Sequence, residues 1–110
     1  MTREELKQLM DSTGIYYDPD HPDHIERSKI DNLPPPFMEF RVEEVPFSAD
    51  DTVYFTSLRV IINFFSDLDV DDAEGDIREA IKDYYFTTSK EYDDEIGLWE
   101  TTFTFADKKE

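Results

Sequence analysis

Cysteine is absent from this chain of 110 residues, and only three glycines are present. The lack of cysteine excludes disulfide bonds, thiol nucleophiles and thiolate metal sites. With so few glycines, there is no glycine-rich loop to cradle a phosphate, and neither the P-loop nor the dinucleotide-binding pattern occurs. No apolar run is long enough for a membrane-spanning helix, and residues 1–5 lack the apolar stretch of a signal peptide. These absences favour a cytoplasmic origin.

Positive charge is also scarce. Eleven Lys and Arg residues face 28 Asp and Glu residues, which gives a formal net charge of −17. Binding to nucleic-acid phosphates or to an anionic membrane surface needs a basic face, so neither kind of partner is expected. Weak, non-specific association with divalent cations is expected, because clustered carboxylates attract counterions.

The aromatic content argues that the chain folds despite its charge. Aromatic residues make up 15% of the sequence, whereas disordered chains contain few of them. The length suits one domain, so we predict that residues 1–110 form a single small domain.

Hydrophobic periodicity and turn residues predict the elements. They are, in chain order, a helix at 2–13, a long loop at 18–36, a strand at 37–45, a break at 46–51, a central strand at 53–65, a helix at 71–84, a short strand at 85–88, a strand at 97–105 and a frayed tail at 106–110. The order predicts an α+β fold, with an antiparallel-rich sheet of about four strands and two helices packed on one face.

Two short motifs have some features of metal sites. The acidic run at 67–71 resembles the start of an EF-hand loop, but Asp72 stands where glycine is needed and Arg78 where the bidentate glutamate is needed. His21 and His24 flank a proline in a turn, with neither a third histidine nor a cysteine to complete a site. We therefore predict an acidic helix start and a solvated turn, with no metal site and no cofactor.

Catalytic patterns are missing as well. No serine lies in a G-x-S-x-G elbow, and among 28 carboxylates chance pairing is too frequent to indicate an acid–base pair. We predict that the protein is not an enzyme and has no catalytic residues.

A partner interface is the alternative to a catalytic site. One face of the strand at 53–65 mixes apolar and polar residues, and one small helix layer cannot cover all its apolar side chains. That face and the loops at 18–33 and 46–52 are the candidate contact regions. The candidate interface residues are Ile25, Ile30, Pro46, Phe47, Ala49, Asp50, Asp51, Phe55, Ile61 and Phe65.

The order of the motifs is distinctive. A helix beginning Thr2-Arg3-Glu4-Glu5-Leu6 ends at Thr13-Gly14, and a strand then starts with Pro35-Pro36-Phe37. The run Val60-Ile61-Ile62-Asn63-Phe64-Phe65 precedes an acidic helix, and a tyrosine-rich hairpin leads to Trp99. In this order and spacing, the chain resembles the small tail completion or tail terminator proteins of siphophages and prophages of Gram-positive bacteria. The loop at 18–33 is longer than usual for that pattern.

The resemblance implies a structural virion protein with an α+β fold. Such a protein works as a ring, typically of six copies, which caps the tail tube, stops its polymerisation and meets the head connector. The partners implied are further copies of the chain, the tail tube protein and the connector, at the head–tail interface of the virion. The resemblance implies no catalytic residues in this chain.

A different class of function fits the charge. Some small acidic phage proteins imitate DNA and occupy the basic cleft of a nucleic-acid enzyme. A mimic arrays carboxylates in rows on an elongated surface, whereas in this sequence they are spread over turns and helix ends. Competition for a basic nucleic-acid-binding protein distinguishes the two functions.

Overall fold

A four-stranded antiparallel sheet with strand order β1-β2-β4-β3 forms the body of the protein. The structure, a computed structural model, describes residues 2–26, 30, 32–49 and 52–109. The elements are α1 (Arg3–Asp11), β1 (Phe37–Ala49), β2 (Thr52–Ser66), α2 (Asp72–Ala80), β3 (Tyr84–Asp93) and β4 (Leu98–Lys109). The predicted α+β fold is confirmed, and β2 is a central strand as predicted.

Both helices begin at capping residues that the sequence indicates. The Thr2 hydroxyl accepts a hydrogen bond from the Glu5 amide at 3.1 Å, which satisfies one of the free amides at the start of α1. At α2 the Asp71 carboxylate accepts from the Ala73 amide at 2.9 Å. Gly14 follows α1 with a φ of 73°, the left-handed conformation that glycine adopts most readily.

The main core lies between the two helices and one face of the sheet, which we call the helix face. It is formed by apolar side chains of both helices, of the segments that follow them and of three strands. Its buried members are Leu6, Met10, Ile15, Met38, Phe40, Val60, Ile62, Phe64, Ile77, Ile81, Phe103 and Phe105. Residues two apart in each strand point to the same face, so the alternation in the sequence predicts this set.

A second, smaller cluster lies on the opposite face, which we call the far face. Ile25, Phe37, Phe65 and Leu98 are buried in it, with Ile30, Leu33 and Ile96 packed around them. Ile25, Ile30 and Leu33 belong to the segment that the sequence predicts as a loop. That segment therefore covers one end of the far face.

The chain from Tyr16 to Pro22 follows the outer edge of β1. Met38 donates its amide hydrogen to the Tyr16 carbonyl at 2.9 Å, and Phe40 donates to the Pro22 carbonyl at 2.8 Å. The amides of even-numbered β1 residues thus point away from β2 in this part of the strand, because the amides alternate sides along it.

The predicted break at 46–51 is wrong for its described residues, because β1 continues to Ala49 and β2 starts at Thr52. Pro46 is even-numbered and precedes the register irregularity between Phe47 and Ser48. Its missing amide hydrogen therefore falls on the outer side of an edge strand, where β2 does not need it.

The other boundaries also differ from those predicted. The second helix ends at Ala80 instead of residue 84, because Tyr84 already begins β3. β3 extends to Asp93, well beyond the short strand at 85–88. β4 continues to Lys109, whose backbone pairs with Tyr84, so the tail predicted to fray is part of the sheet up to that residue. In each case strand pairing supplies hydrogen bonds that local propensity does not reveal.

The molecule is elongated, with principal extents of 48 × 28 × 26 Å. Within the described ranges, none of the helices has the length and apolar character required to traverse a lipid bilayer.

Candidate functional site

The β1–β2 hairpin extends beyond the rest of the sheet. β2 pairs with β1 from Thr52 to Phe65, with a register shift near Tyr54, but its pairing with β4 covers only residues 59–66. We call residues 45–49 and 52–58 the β-arm. The seven β2 residues of the arm span about 23 Å at the rise of an extended strand.

The composition of the β-arm differs from that of the whole chain. Charged residues make up 35% of the sequence, yet residues 45–49 and 52–58 include none. An isolated two-stranded hairpin is only marginally stable in water. Valine, phenylalanine and tyrosine make up five of the twelve arm residues, so the arm is expected to need a further surface against which to pack.

Four of the predicted interface residues lie on the β-arm by the position of their backbone: Pro46, Phe47, Ala49 and Phe55. Asp50 and Asp51 lie outside the described residues. The structure therefore brings the predicted arm residues together on one hairpin instead of on an irregular loop.

Ile25 and Phe65 occupy a different environment. Both are buried in the far-face cluster, where the Phe65 ring stacks on Phe37 with centroids 5.2 Å apart. Phe65 is covered within the chain by the segment that carries Ile25, and not by a helix. Ile30 packs partly buried against the same cluster, and Ile61 is half-buried on the far face.

A groove of about 210 Å³ lies beside this cluster on the far face. Ile25, Ile30, Phe65 and Ile96 give it apolar walls, and Glu39, Asp93 and Glu100 add three carboxylates, with His24 at its side. The Glu39 carboxylate accepts the Ile25 amide hydrogen at 2.7 Å and lies 3.8 Å from Nδ1 of His24. Glu39 is therefore used to hold the loop on the sheet.

Glu100 is the groove carboxylate that has a like charge opposite it in the sheet. It lies directly across from Glu91 in the pairing of β3 with β4. Partial burial raises the pKa of Glu100, and the negative charges of Glu91, Glu39 and Asp93 raise it further. Like charges placed opposite each other destabilise a sheet, so this row of carboxylates opposes folding near neutral pH. The sequence alone does not indicate that Glu91 lies opposite Glu100, because that depends on the register of β3 and β4.

Asp71, the last residue of the acidic run at 67–71, has a structural role at the start of α2. One oxygen of Asp71 caps the helix, and the other accepts the Ser66 hydroxyl hydrogen at 2.6 Å. Within the helix, the buried Glu74 pairs with Arg78 at 3.2 Å and with Lys90 of β3 at 3.1 Å. These contacts tie α2 to the sheet.

No cluster of three or more histidine, aspartate or glutamate side chains suited to a metal ion occurs in the described parts of the chain. His21 and His24 are both exposed in the turn that precedes the far-face cluster. Tyr17 lies on the helix side of this segment and donates a hydrogen bond to Asp11. Burial, followed by that hydrogen bond and the charge of Asp11, raises the pKa of Tyr17 to about 12.

Comparisons with protein-family models, with curated proteins and with solved structures gave no match to this chain. The resemblance to phage tail completion proteins therefore stays a prediction from the sequence.

Proposed function

We propose that this chain is a structural assembly subunit of the tail terminator type. Copies associate through the β-arm into a ring, which caps a phage tail tube and meets the head connector. The observation that carries the proposal is the β-arm, which extends beyond the four-stranded sheet and whose two strands contain no charged residue, although Asp50 and Asp51 stand between them in the sequence.

The charge of the chain limits how copies can meet. Each copy carries a formal charge of −17, so association brings together strongly repelling molecules. Contacts made by uncharged segments place no carboxylates opposite each other, and the β-arm is such a segment. Salt or Mg²⁺ screens the remaining repulsion and promotes assembly. In a ring around a DNA channel, an acidic inner surface would not retain the passing phosphates.

A charge placed on the β-arm tests the proposal. Phe55→Asp adds a carboxylate to the arm, and Val70→Asp adds the same charge to a loop where the side chain is 79% exposed. Light scattering during size exclusion gives the mass of each variant, and circular dichroism verifies folding. We expect discrete oligomers for the parent chain and for Val70→Asp, and monomers for Phe55→Asp. Oligomers of unchanged mass for a folded Phe55→Asp variant would refute the role of the arm.

Electron microscopy then distinguishes closed rings from open filaments. Addition to tail tubes provides the functional test, because a terminator stops further elongation of the tube. Tubes that lengthen at the same rate with and without the protein would rule out a terminator function.

A DNA-mimic function is the second candidate, and the row of carboxylates on the far face favours it. Glu39, Glu91, Asp93 and Glu100 lie close enough together to affect the pKa of Glu100, on the surface of an elongated molecule. A mimic displaces DNA from a basic DNA-binding protein, with steep salt dependence. No displacement at low salt would exclude this function.

A further inference from the structure

The free edges of the sheet differ in how well they are protected. On β1, the loop carbonyls of Tyr16 and Pro22 accept the outward amides of Met38 and Phe40. Further along the same edge, Pro46 removes the outward donor. Covering loops and edge prolines are means by which proteins prevent strand addition. The outer edge of β1 is therefore poorly suited to pair with another strand.

On the β2 side of the β-arm, the described residues include neither a covering loop nor an edge proline. Residues 52–58 of β2 lie beyond the stretch that pairs with β4, and they contain neither proline nor a charged residue. Among the described residues, their backbone pairs with β1 alone. The stretch spans about 23 Å, and β4 continues for three residues beyond Ala106, its last residue paired with β2.

β3 provides a second open edge at the other side of the sheet. It is the outermost strand, and its residues 85–89 also lack proline and charge, although the register with β4 shifts between Tyr84 and Phe86. Thr87, Thr88 and Ser89 are exposed, and the ring of Tyr85 is 73% exposed. Residues 85–88 are all aromatic or threonine, residue types of high β-propensity, and such a segment at a sheet edge is a template for a further strand.

We propose that residues 52–58 of one copy pair with residues 85–89 of a second copy, so that the sheet continues from subunit to subunit. This inference rests on the proposed function and identifies the surface that receives the β-arm. Both segments lack charged residues, so their pairing places no carboxylate opposite another in a chain that otherwise repels itself. The two paired edges are different, one on β2 and one on β3. Each added copy therefore leaves one β2 edge and one β3 edge free. Such a contact closes into a ring when the rotation between neighbours permits.

Cysteine cross-linking tests this pairing, because the chain has no cysteine of its own. Thr56→Cys marks the arm edge and Thr87→Cys marks the β3 edge. Asp76→Cys, on the exposed surface of α2, is the control. After oxidation, we expect a disulfide-linked dimer in the mixture of Thr56→Cys with Thr87→Cys. The mixture of Thr56→Cys with Asp76→Cys should lack it.

The outcomes separate this inference from the proposed function. If Thr87→Cys alone cross-links as efficiently as the mixture, copies join β3 to β3, and the inference is overturned. Oligomers by light scattering without a cross-link in the mixture overturn it too, while the proposed function stands. Monomers under every condition overturn both.

A charge on the β3 edge gives an independent measurement. Thr87→Lys places an ammonium group on the proposed pairing edge, and Gln8→Lys makes the same charge change on the exposed side of α1. Both lower the net negative charge, so simple repulsion predicts better assembly for both. Edge pairing predicts loss of oligomers for Thr87→Lys alone. Equal or improved assembly of Thr87→Lys would contradict the proposal.

Discussion

Replacing Phe65 by alanine tests whether the far-face cluster belongs to the fold of the single chain. Phe65 is 6% exposed, stacks on Phe37 and lies beneath the loop that carries Ile25. Burial of a phenylalanine side chain contributes about 2 kcal/mol, and the aromatic pair adds about 1 kcal/mol. The expected loss in unfolding free energy is thus about 3 kcal/mol, near the lower end for Phe→Ala, because the covering loop can settle into the space.

The assay is urea denaturation at a protein concentration low enough to keep the chain monomeric. Val70→Ala is the matched control, because that side chain is exposed and its truncation should change the stability little. For Phe65→Ala, a loss of about 3 kcal/mol corresponds to a fall in Tm of about 12 °C for a domain of this size.

A loss below about 1 kcal/mol, within the range of ordinary surface substitutions, would refute the reasoning. If such a variant also failed to associate, Phe65 would be an interface residue, as its sequence pattern suggests. Limited proteolysis of residues 18–33 gives a second readout, because removal of the aromatic ring should release the loop and expose it to cleavage.

Three further predictions concern ionisable groups. The raised pKa of Glu100 means that its destabilising charge is present at pH 7 and is lost as the pH falls towards 4.5, the ordinary carboxyl value. Glu100→Gln should therefore raise the unfolding free energy at pH 7 by about 0.5 kcal/mol and leave it unchanged at pH 3, as urea titrations at both pH values will show. Asp71→Ala removes the cap of α2 and the acceptor of the Ser66 hydroxyl, so it should lower the unfolding free energy by about 1.5 kcal/mol. If Asp71→Ala lowered the unfolding free energy less than the control Asp72→Ala, the capping role would be contradicted. Glu74→Ala leaves Lys90 without a carboxylate partner and should cost about 2 kcal/mol by thermal denaturation, whereas Glu79→Ala, an exposed control, should cost less.

Alternation along the strands predicted which side chains enter the main core. Met38, Phe40, Val60 and Ile62 all lie on the helix face, because a period of two fixes the face once the strand is recognised. The position of Pro46 could not be interpreted in the same way. A proline ends a strand or lies on an unpaired edge, and only the hydrogen bonds of the neighbouring loop show which applies.

The cover over Phe65 was not predictable for a related reason. Turn residues at 18–24 indicate a loop, but no local pattern says where a loop packs. Ile25 reaches Phe65 across 40 positions of sequence, and the contact becomes visible only when β1, β2 and β4 are in register. The opposition of Glu91 and Glu100 depends on register in the same way.

The candidate interface stays a prediction. The sequence analysis included Phe55 because one small helix layer cannot cover all the apolar side chains of its strand face, and Phe47 because it lies in the segment at 46–52. The open edges of β2 and β3 were not foreseen, because strand order decides which edges remain free.

The most direct test of self-association through the β-arm is the mass of the parent chain in solution. Light scattering coupled to size exclusion should be recorded at low and high ionic strength, with and without Mg²⁺. We expect a single discrete oligomer whose fraction increases with salt and with Mg²⁺, because both screen the charge of −17 on each copy. A monomer under all four conditions would contradict self-association. Equal assembly at both ionic strengths would contradict the electrostatic argument.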